Sequence, residues 1–253
     1  MPLGEFELIA RFFDRGPARE AVLGIGDDCA LLAPPGPHNV TAVSTDMLLV
    51  GRHFLAGDDP ASVGHKSLAV NLSDLAAMGA RPRAFTLALA LPQVDETWLA
   101  GFCSGLFAIA DRHDCELIGG DTTRGPLNIC VTVLGELPVG VALRRDRAEP
   151  GDDLWVSGEL GGAALAVAQQ AQLRGGDATL EEGASSSTAP SVAVVPPAPA
   201  AVAASASASR ASPASASTSA VDPDAQARLD RPEPRVALGL ALRHLARAAI
   251  DLS

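Results

Sequence analysis

The chain has 253 residues, 47% of them hydrophobic and 19% charged, and its 30 Asp and Glu against 19 Lys and Arg leave a formal net charge of −11. That is enough apolar material for a core, and the length suits one large domain or two small ones. The acidic balance argues against a nucleic-acid binder, which needs basic surface to displace counterions, but not against an anionic ligand, because bound divalent cations invert the local field.

Met1-Pro2-Leu3-Gly4-Glu5 carries an acid with no long apolar stretch behind it, so no N-terminal signal is expected. Phe6, Leu8, Ile9, Phe12 and Phe13 mark a short helix. Val40 to Val43 reads as a strand ending in Ser44-Thr45-Asp46. Ala61 to Met78 follows Pro60 as a helix and is stopped by Gly79 and Pro82. Ala84 to Leu91 is a buried strand, and Trp98, Phe102, Leu106 and Ile109 sit at helical spacing as core. Leu117-Ile118 leads into Gly119-Gly120-Asp121; Ile129 to Leu137 and Asp153 to Gly158 are further strands. Strands and helices mixed in this way give α/β or α+β.

Residues 184–220 are Ala, Ser, Pro, Thr or Val except for Arg210, with no helical or strand period. Such a stretch cannot bury enough surface to offset its ordering entropy, so about 175–224 is expected to be a disordered insertion. An amphipathic helix through Val236, Leu240, Leu242, Leu245 and Ala249 follows it. Cys29, Cys103, Cys115 and Cys130 form no C-x-x-C pair and lie in apolar runs, as buried free thiols. With no run of about 18 apolar residues for a membrane helix, a soluble cytoplasmic protein is expected.

Acids recur at what read as strand-to-loop junctions: Asp27-Asp28 after Gly24-Ile25-Gly26, Asp46 after Ser44-Thr45, and Asp121 after Gly119-Gly120. Each alone is a turn former. Asp74 is different, because it sits mid-helix between Leu72 and Leu75, and a buried charge must be paired or metal-bound. Oxygen ligands without a His/Cys cluster point to a hard cation such as Mg²⁺, held by a few carboxylates together with substrate phosphates. The Ser44 and Thr45 hydroxyls add ligands, and the neighbouring glycines let backbone approach phosphate. The phosphate-loop, dinucleotide, G-x-S-x-G and H-E-x-x-H motifs are all absent. The residues alone therefore lead to a Mg²⁺-dependent, phosphate-handling α/β enzyme.

Taken in order, Gly24 to Ala30, Ser44-Thr45-Asp46, Gly51-Arg52-His53-Phe54, Asn71 to Ala80 and Gly119 to Gly125 resemble the thiamine-monophosphate kinase family, and Pro150-Gly151-Asp152 and Val156-Ser157-Gly158 continue the match. The resemblance implies transfer of the γ-phosphoryl group of ATP to thiamine monophosphate with several Mg²⁺ ions. It implies a homodimer paired through N-terminal β-structure, with ATP near that interface. It makes Asp28, Ser44, Thr45, Asp46, Asp74, Asp121 and Asp251 metal ligands. Gly120, Asp121, Arg145 and Ser253 would meet the nucleotide and His53 the thiamine substrate; no covalent nucleophile is implied. The expected organisation is 1–149 for ATP, Mg²⁺ and dimerisation, 150–174 as the start of a C-terminal α/β domain, 175–224 as the insertion, and 225–253 as a C-terminal-domain helix with a truncated metal motif. The family pattern runs on from Ile250-Asp251-Leu252-Ser253 into Asp-Gly-Leu, where this chain stops, so impaired turnover is expected of the 253 residues alone. The rival readings are a sibling kinase or synthetase of the same superfamily and a non-catalytic dimerising module that binds Mg²⁺-nucleotide.

Overall fold

The computed structural model describes residues 3–173 and 220–252. After helix α1 (Glu5–Phe12), strands β1 (Ala21–Leu23) and β2 (Leu31–Leu32) form a small hairpin. The main sheet is built from β3 (Asn39–Leu49), β4 (Arg81–Leu91), β5 (Glu116–Arg124) and β6 (Asn128–Pro138), in the order β3-β6-β4-β5. β6 runs antiparallel to both its neighbours, and β4 and β5 are parallel. Parallel strands need a crossover, and helices α2 (Pro60–Ala77) and α3 (Glu96–Arg112) supply the two required.

Local chemistry sets the bounds of these helices. Asp59 caps α2 by accepting from the backbone N–H of Ala61 and Ser62, and Pro60 occupies the first turn, where no N–H is missed. Gly79, with φ of +67°, lets the chain leave α2 in the left-handed conformation. Asp95 caps α3 in the same manner. The two helices pack backbone to backbone: a Cβ on Gly64 would stand 2.0 Å from the Phe102 carbonyl oxygen, and one on Gly105 would stand 1.8 Å from that of Ala61. Leu68, Leu72, Phe85, Leu99, Phe102, Leu106, Ile109 and Ile129 are fully buried between sheet and helices. Each contributes roughly 1.5–3 kcal/mol by burial. Arg83 fastens the hairpin region to β4 through Glu20 at 2.9 Å and the Ala33 carbonyl at 3.1 Å.

Beyond β6 come a 3-10 turn at Arg145–Arg147 and helices α4 (Gly162–Leu173), α5 (Pro223–Asp230) and α6 (Val236–Leu242). α6 lies on α2 so closely that a Cβ on Gly239 would stand 2.1 Å from the Ala76 carbonyl oxygen, and Arg243 Nε donates to the Gly79 carbonyl at 2.6 Å. No helix among the described residues is long and apolar enough to cross a membrane.

The mixed α/β class and the main strands and helices agree with the sequence. Several bounds do not. β3 and β5 run through Ser44-Thr45-Asp46 and Gly119-Gly120-Asp121 instead of ending there, because β6 pairs β3 residue for residue and β4 pairs β5 on both sides of one register shift at Ile118. Asp153 to Gly158 forms no strand: among the described residues nothing pairs with it, and Trp155 is 86% exposed. The C-terminal helix stops at Leu242, with Leu245 exposed. Cys29 is exposed, because its apolar neighbours cap a hairpin loop and do not enter the main core. α5 begins at Pro223, capped by Asp222, inside the segment expected to be disordered up to 224. The rest of that expectation, 175–219, lies outside the described residues.

Candidate functional site

The side-chain alternation of β3 divides its polar residues between two faces. Ser44, Asp46 and Leu48 face the helices, whereas Val43, Thr45, Met47 and Leu49 lie on the outer face. Across the inner gap stands α2, which presents Asn71 and Asp74 three residues apart on one side. Ser44 Oγ donates to Asp74 Oδ2 at 2.5 Å, and the Asp46 backbone N–H donates to Asn71 Oδ1 at 3.1 Å. The tail after α6 returns along α2, where Ser73 Oγ donates to Asp251 Oδ1 at 2.5 Å. The Gly239 contact and the Arg243 hydrogen bond align this tail with α2.

Ser44, Asp46, Asp74 and Asp251 are thus gathered from positions more than two hundred residues apart. Burial, then the neighbouring Asp74 and Asp251, push the Asp46 carboxyl above the usual carboxylate range, and His53 opposes them. Among the described residues no Lys or Arg forms an ion pair with any of these three acids. His53 sits on the loop from β3 to α2, where its Nδ1 accepts from the Leu49 backbone N–H at 3.0 Å.

The other expected residues do not join this group. The Thr45 hydroxyl points to the opposite face and pairs with Thr132 Oγ1 at 2.9 Å, because side chains alternate along a strand. Asp121 is aligned with Ala88, Cys130 and Met47, the outer row of the sheet, whereas Asp46 is aligned with Val131, Leu87 and Gly120. Asp46 and Asp121 therefore point to opposite faces, three strand spacings or roughly 14 Å apart. Asp28 lies in the loop between β1 and β2, its N–H bonded to the Asp27 side chain. That hairpin covers the outer face around Ala84 and Ile118. Gly120, with φ of +148°, brings its backbone against Leu87: a Cβ would stand 1.9 Å from the Leu87 carbonyl oxygen. Arg145 is exposed in the 3-10 turn, and Ser253 lies outside the described residues. Asn71 and Ser73 were missing from the expected set, although they belong to the run Asn71-Leu72-Ser73-Asp74; their helical spacing from Asp74 was the available signal.

The donor set suits a hard divalent cation. Three carboxylates and a hydroxyl supply only oxygen, and the burial and carboxylate repulsion that together raise Asp46 are what a cation would offset. Among the described residues no three His, Cys, Asp or Glu side chains stand close enough to enclose an ion unaided.

A mixed sheet backed by two helices, with acidic side chains between them, defines an α/β domain. Residues 26–137 match the family "AIR synthase related protein, N-terminal domain". Thiamine-monophosphate kinase of Salmonella typhimurium is 43% identical over all of this chain and 66% of its own length. The solved thiamine-monophosphate kinase of Stenotrophomonas maltophilia is 44% identical, covering 97% of this chain and 65% of that one, with a TM-score of 0.69. A structure described as AaThiL complexed with AMPPCP and TMP covers 87% of this chain and 58% of that one at 23% identity, with a TM-score of 0.64, a likeness of fold. The chain belongs to the thiamine-monophosphate kinase family, and it spans about 66% of the length of the curated relatives it matches first.

Proposed function

We propose that this chain carries the Mg²⁺-nucleotide machinery for phosphorylating thiamine monophosphate to thiamine diphosphate with ATP. The observation that carries the reading is the convergence of Ser44, Asp46, Asp74 and Asp251 at one end of α2, with no Lys or Arg ion pair to them among the described residues. The relatives named above and the AMPPCP and TMP bound in a similar fold support the two substrates. Asp46, Asp74 and Asp251, with the Ser44 hydroxyl, would hold Mg²⁺, whose chemistry is to neutralise charge on the transferring phosphoryl group.

The acceptor is itself a phosphate monoester. One of its oxygens forms the new bond to the γ-phosphorus as the bond to the bridging β–γ oxygen breaks. Such an oxygen is already largely ionised near neutral pH, so no side chain needs to serve as nucleophile or strong base. The residues have only to position two anions and screen them from each other. Residues 1–149 form the nucleotide-binding and dimerising unit in this reading, and the second α/β unit begins near 150. In this reading His53 faces the acceptor.

The homodimer is part of the same reading. Val43 and Met47 are 61% and 51% exposed on the outer sheet face, and Asn128 Oδ1 is buried there without a hydrogen-bond partner. A second copy laid on this face would cover the apolar row.

The test is the reaction itself: γ-labelled ATP, Mg²⁺ and thiamine monophosphate are incubated with the protein. Label entering thiamine diphosphate and no other acceptor, at however low a rate, is the expected outcome. Label passing instead to another acceptor, with thiamine monophosphate inert, would replace this reading with that of a sibling enzyme.

A further inference from the structure

Lys66 is a buried cation without a carboxylate in ion-pair contact among the described residues. It lies on α2 and is 7% exposed. Its hydrogen bond runs from Nζ to the His53 carbonyl oxygen at 3.5 Å. Asp58 and Asp230 act on it only from beyond ion-pair distance, and burial holds its ammonium below the ordinary lysine range. A Leu or Met would cost less here, since a buried charge is unfavourable unless its contact is needed.

The loop that Lys66 reaches, at the long limit of a hydrogen bond, is tied at several other points. Gly51, with φ of +81°, donates to the Phe54 carbonyl at 2.7 Å, the His53 N–H donates to the Leu49 carbonyl at 3.0 Å, and Asp58 Oδ2 accepts from the Leu55 N–H at 2.8 Å. Phe54 anchors the loop in the core. The His53 ring takes the Leu49 N–H on Nδ1. A backbone N–H aimed at Nδ1 makes that nitrogen an acceptor, so the neutral ring carries its proton on Nε2. Nε2 has no protein hydrogen bond among the described residues, and the ring lies within electrostatic reach of Asp46.

We propose that Lys66 is a positioning residue: it holds the His53 main chain while Leu49 holds the ring, and together they present Nε2–H as a fixed donor to an oxygen or nitrogen acceptor on the phosphoryl-accepting substrate. The choice of ligand rests on the kinase reading; the positioning does not.

The test uses imidazole ¹⁵N NMR on the full chain, with the His53 signal assigned by its loss in His53→Gln, alongside titration of thiamine monophosphate and of ATP with Mg²⁺. The wild-type ring is expected as the Nε2-protonated tautomer. Lys66→Met is expected to fold, to move that signal toward the tautomer average, and to weaken thiamine monophosphate about tenfold, the scale of one lost hydrogen bond. ATP affinity should stay within about twofold. Lys66→Gln, a neutral donor, should restore the tautomer signal and serves as the second variant if Lys66→Met does not fold. A wild-type ring protonated on Nδ1, or an unchanged His53 signal in Lys66→Met, would overturn the proposal. Tautomer responses as expected with no binding of thiamine monophosphate would refute the kinase reading and the ligand assignment, leaving the positioning intact.

Discussion

Ser44 on β3 and Asp74 on α2 are joined by a 2.5 Å hydrogen bond from the Ser44 hydroxyl to Asp74 Oδ2. This bond spans the gap between sheet and helix and lies among three carboxylates. One donor cannot neutralise a carboxylate, so the cluster keeps net negative charge and stands ready for a cation.

Asp74→Asn tests that electrostatic balance. The amide oxygen still accepts from Ser44, but one charge facing Asp46 is gone. The apo variant should melt at or slightly above wild type. Wild type should gain about 3–6 °C when Mg²⁺ exceeds its Kd tenfold, by mass action. The variant should lose most of that gain. Equal Mg²⁺-induced shifts in calorimetric melts of the two proteins would remove Asp74 from the cation site.

Asp46 carries a pH signature. Its carboxyl is raised by burial and by Asp74 and Asp251. The folded state therefore holds its proton at pH values where the unfolded chain, with a carboxyl near 3.9, has released it. Stability contributed by this group is full below the unfolded value and falls as pH rises through the folded one. Asp59, Asp111 and Glu136 are shifted the other way, so the informative quantity is a difference. Wild type minus Asp46→Asn, by urea unfolding between pH 3.5 and pH 7, should fall with pH. A flat or rising difference would show that burial and the neighbouring carboxylates do not hold Asp46 above its unfolded value.

Gly239→Ala addresses the seating of the C-terminal tail. The new Cβ would meet the Ala76 carbonyl oxygen at 2.1 Å, and that oxygen belongs to helix backbone, which cannot swing aside. α6 must shift, at about 1–3 kcal/mol. Asp251 should then leave Ser73 and weaken Mg²⁺, while the main sheet stays folded. Mg²⁺ affinity equal to wild type in a measurably destabilised Gly239→Ala would mean that Asp251 is not a ligand.

The outer sheet face gives a prediction about assembly. Met47→Glu would place a charge in the exposed row with Val43 and Leu49. Sedimentation should show a dimer for wild type and a monomer for the variant at micromolar concentration. A wild-type monomer would refute pairing through this face.

How legible all this was in the sequence differs residue by residue. The helix carrying Asp74 could be read from Pro60, Gly79 and the apolar run between them, because caps and periodicity are local. That Asp74 needs a partner followed from its apolar neighbours, and the structure supplies Ser44. The ends of β3 and β5 were misread because pairing with β6 and β4 decides where those strands stop, and pairing is not local. Thr45 was grouped with Ser44 because adjacency in sequence hides which face a side chain takes. Asp28 and Asp121 shared a motif style with Asp46, but their separation from it depends on strand order, which no single segment records. The path of the tail that brings Asp251 to Ser73 rests on Gly239 and Arg243, whose contacts lie far away in the chain.

The central claim is that one carboxylate cluster binds nucleotide through Mg²⁺. Isothermal titration of AMPPCP into the 253-residue protein, with Mg²⁺ and with EDTA, for wild type and Asp46→Asn, tests it most directly. Binding should require Mg²⁺ and should weaken about a hundredfold in the variant, a loss of about 2.7 kcal/mol. Equal affinity in EDTA and Mg²⁺, or in wild type and Asp46→Asn, would contradict the account.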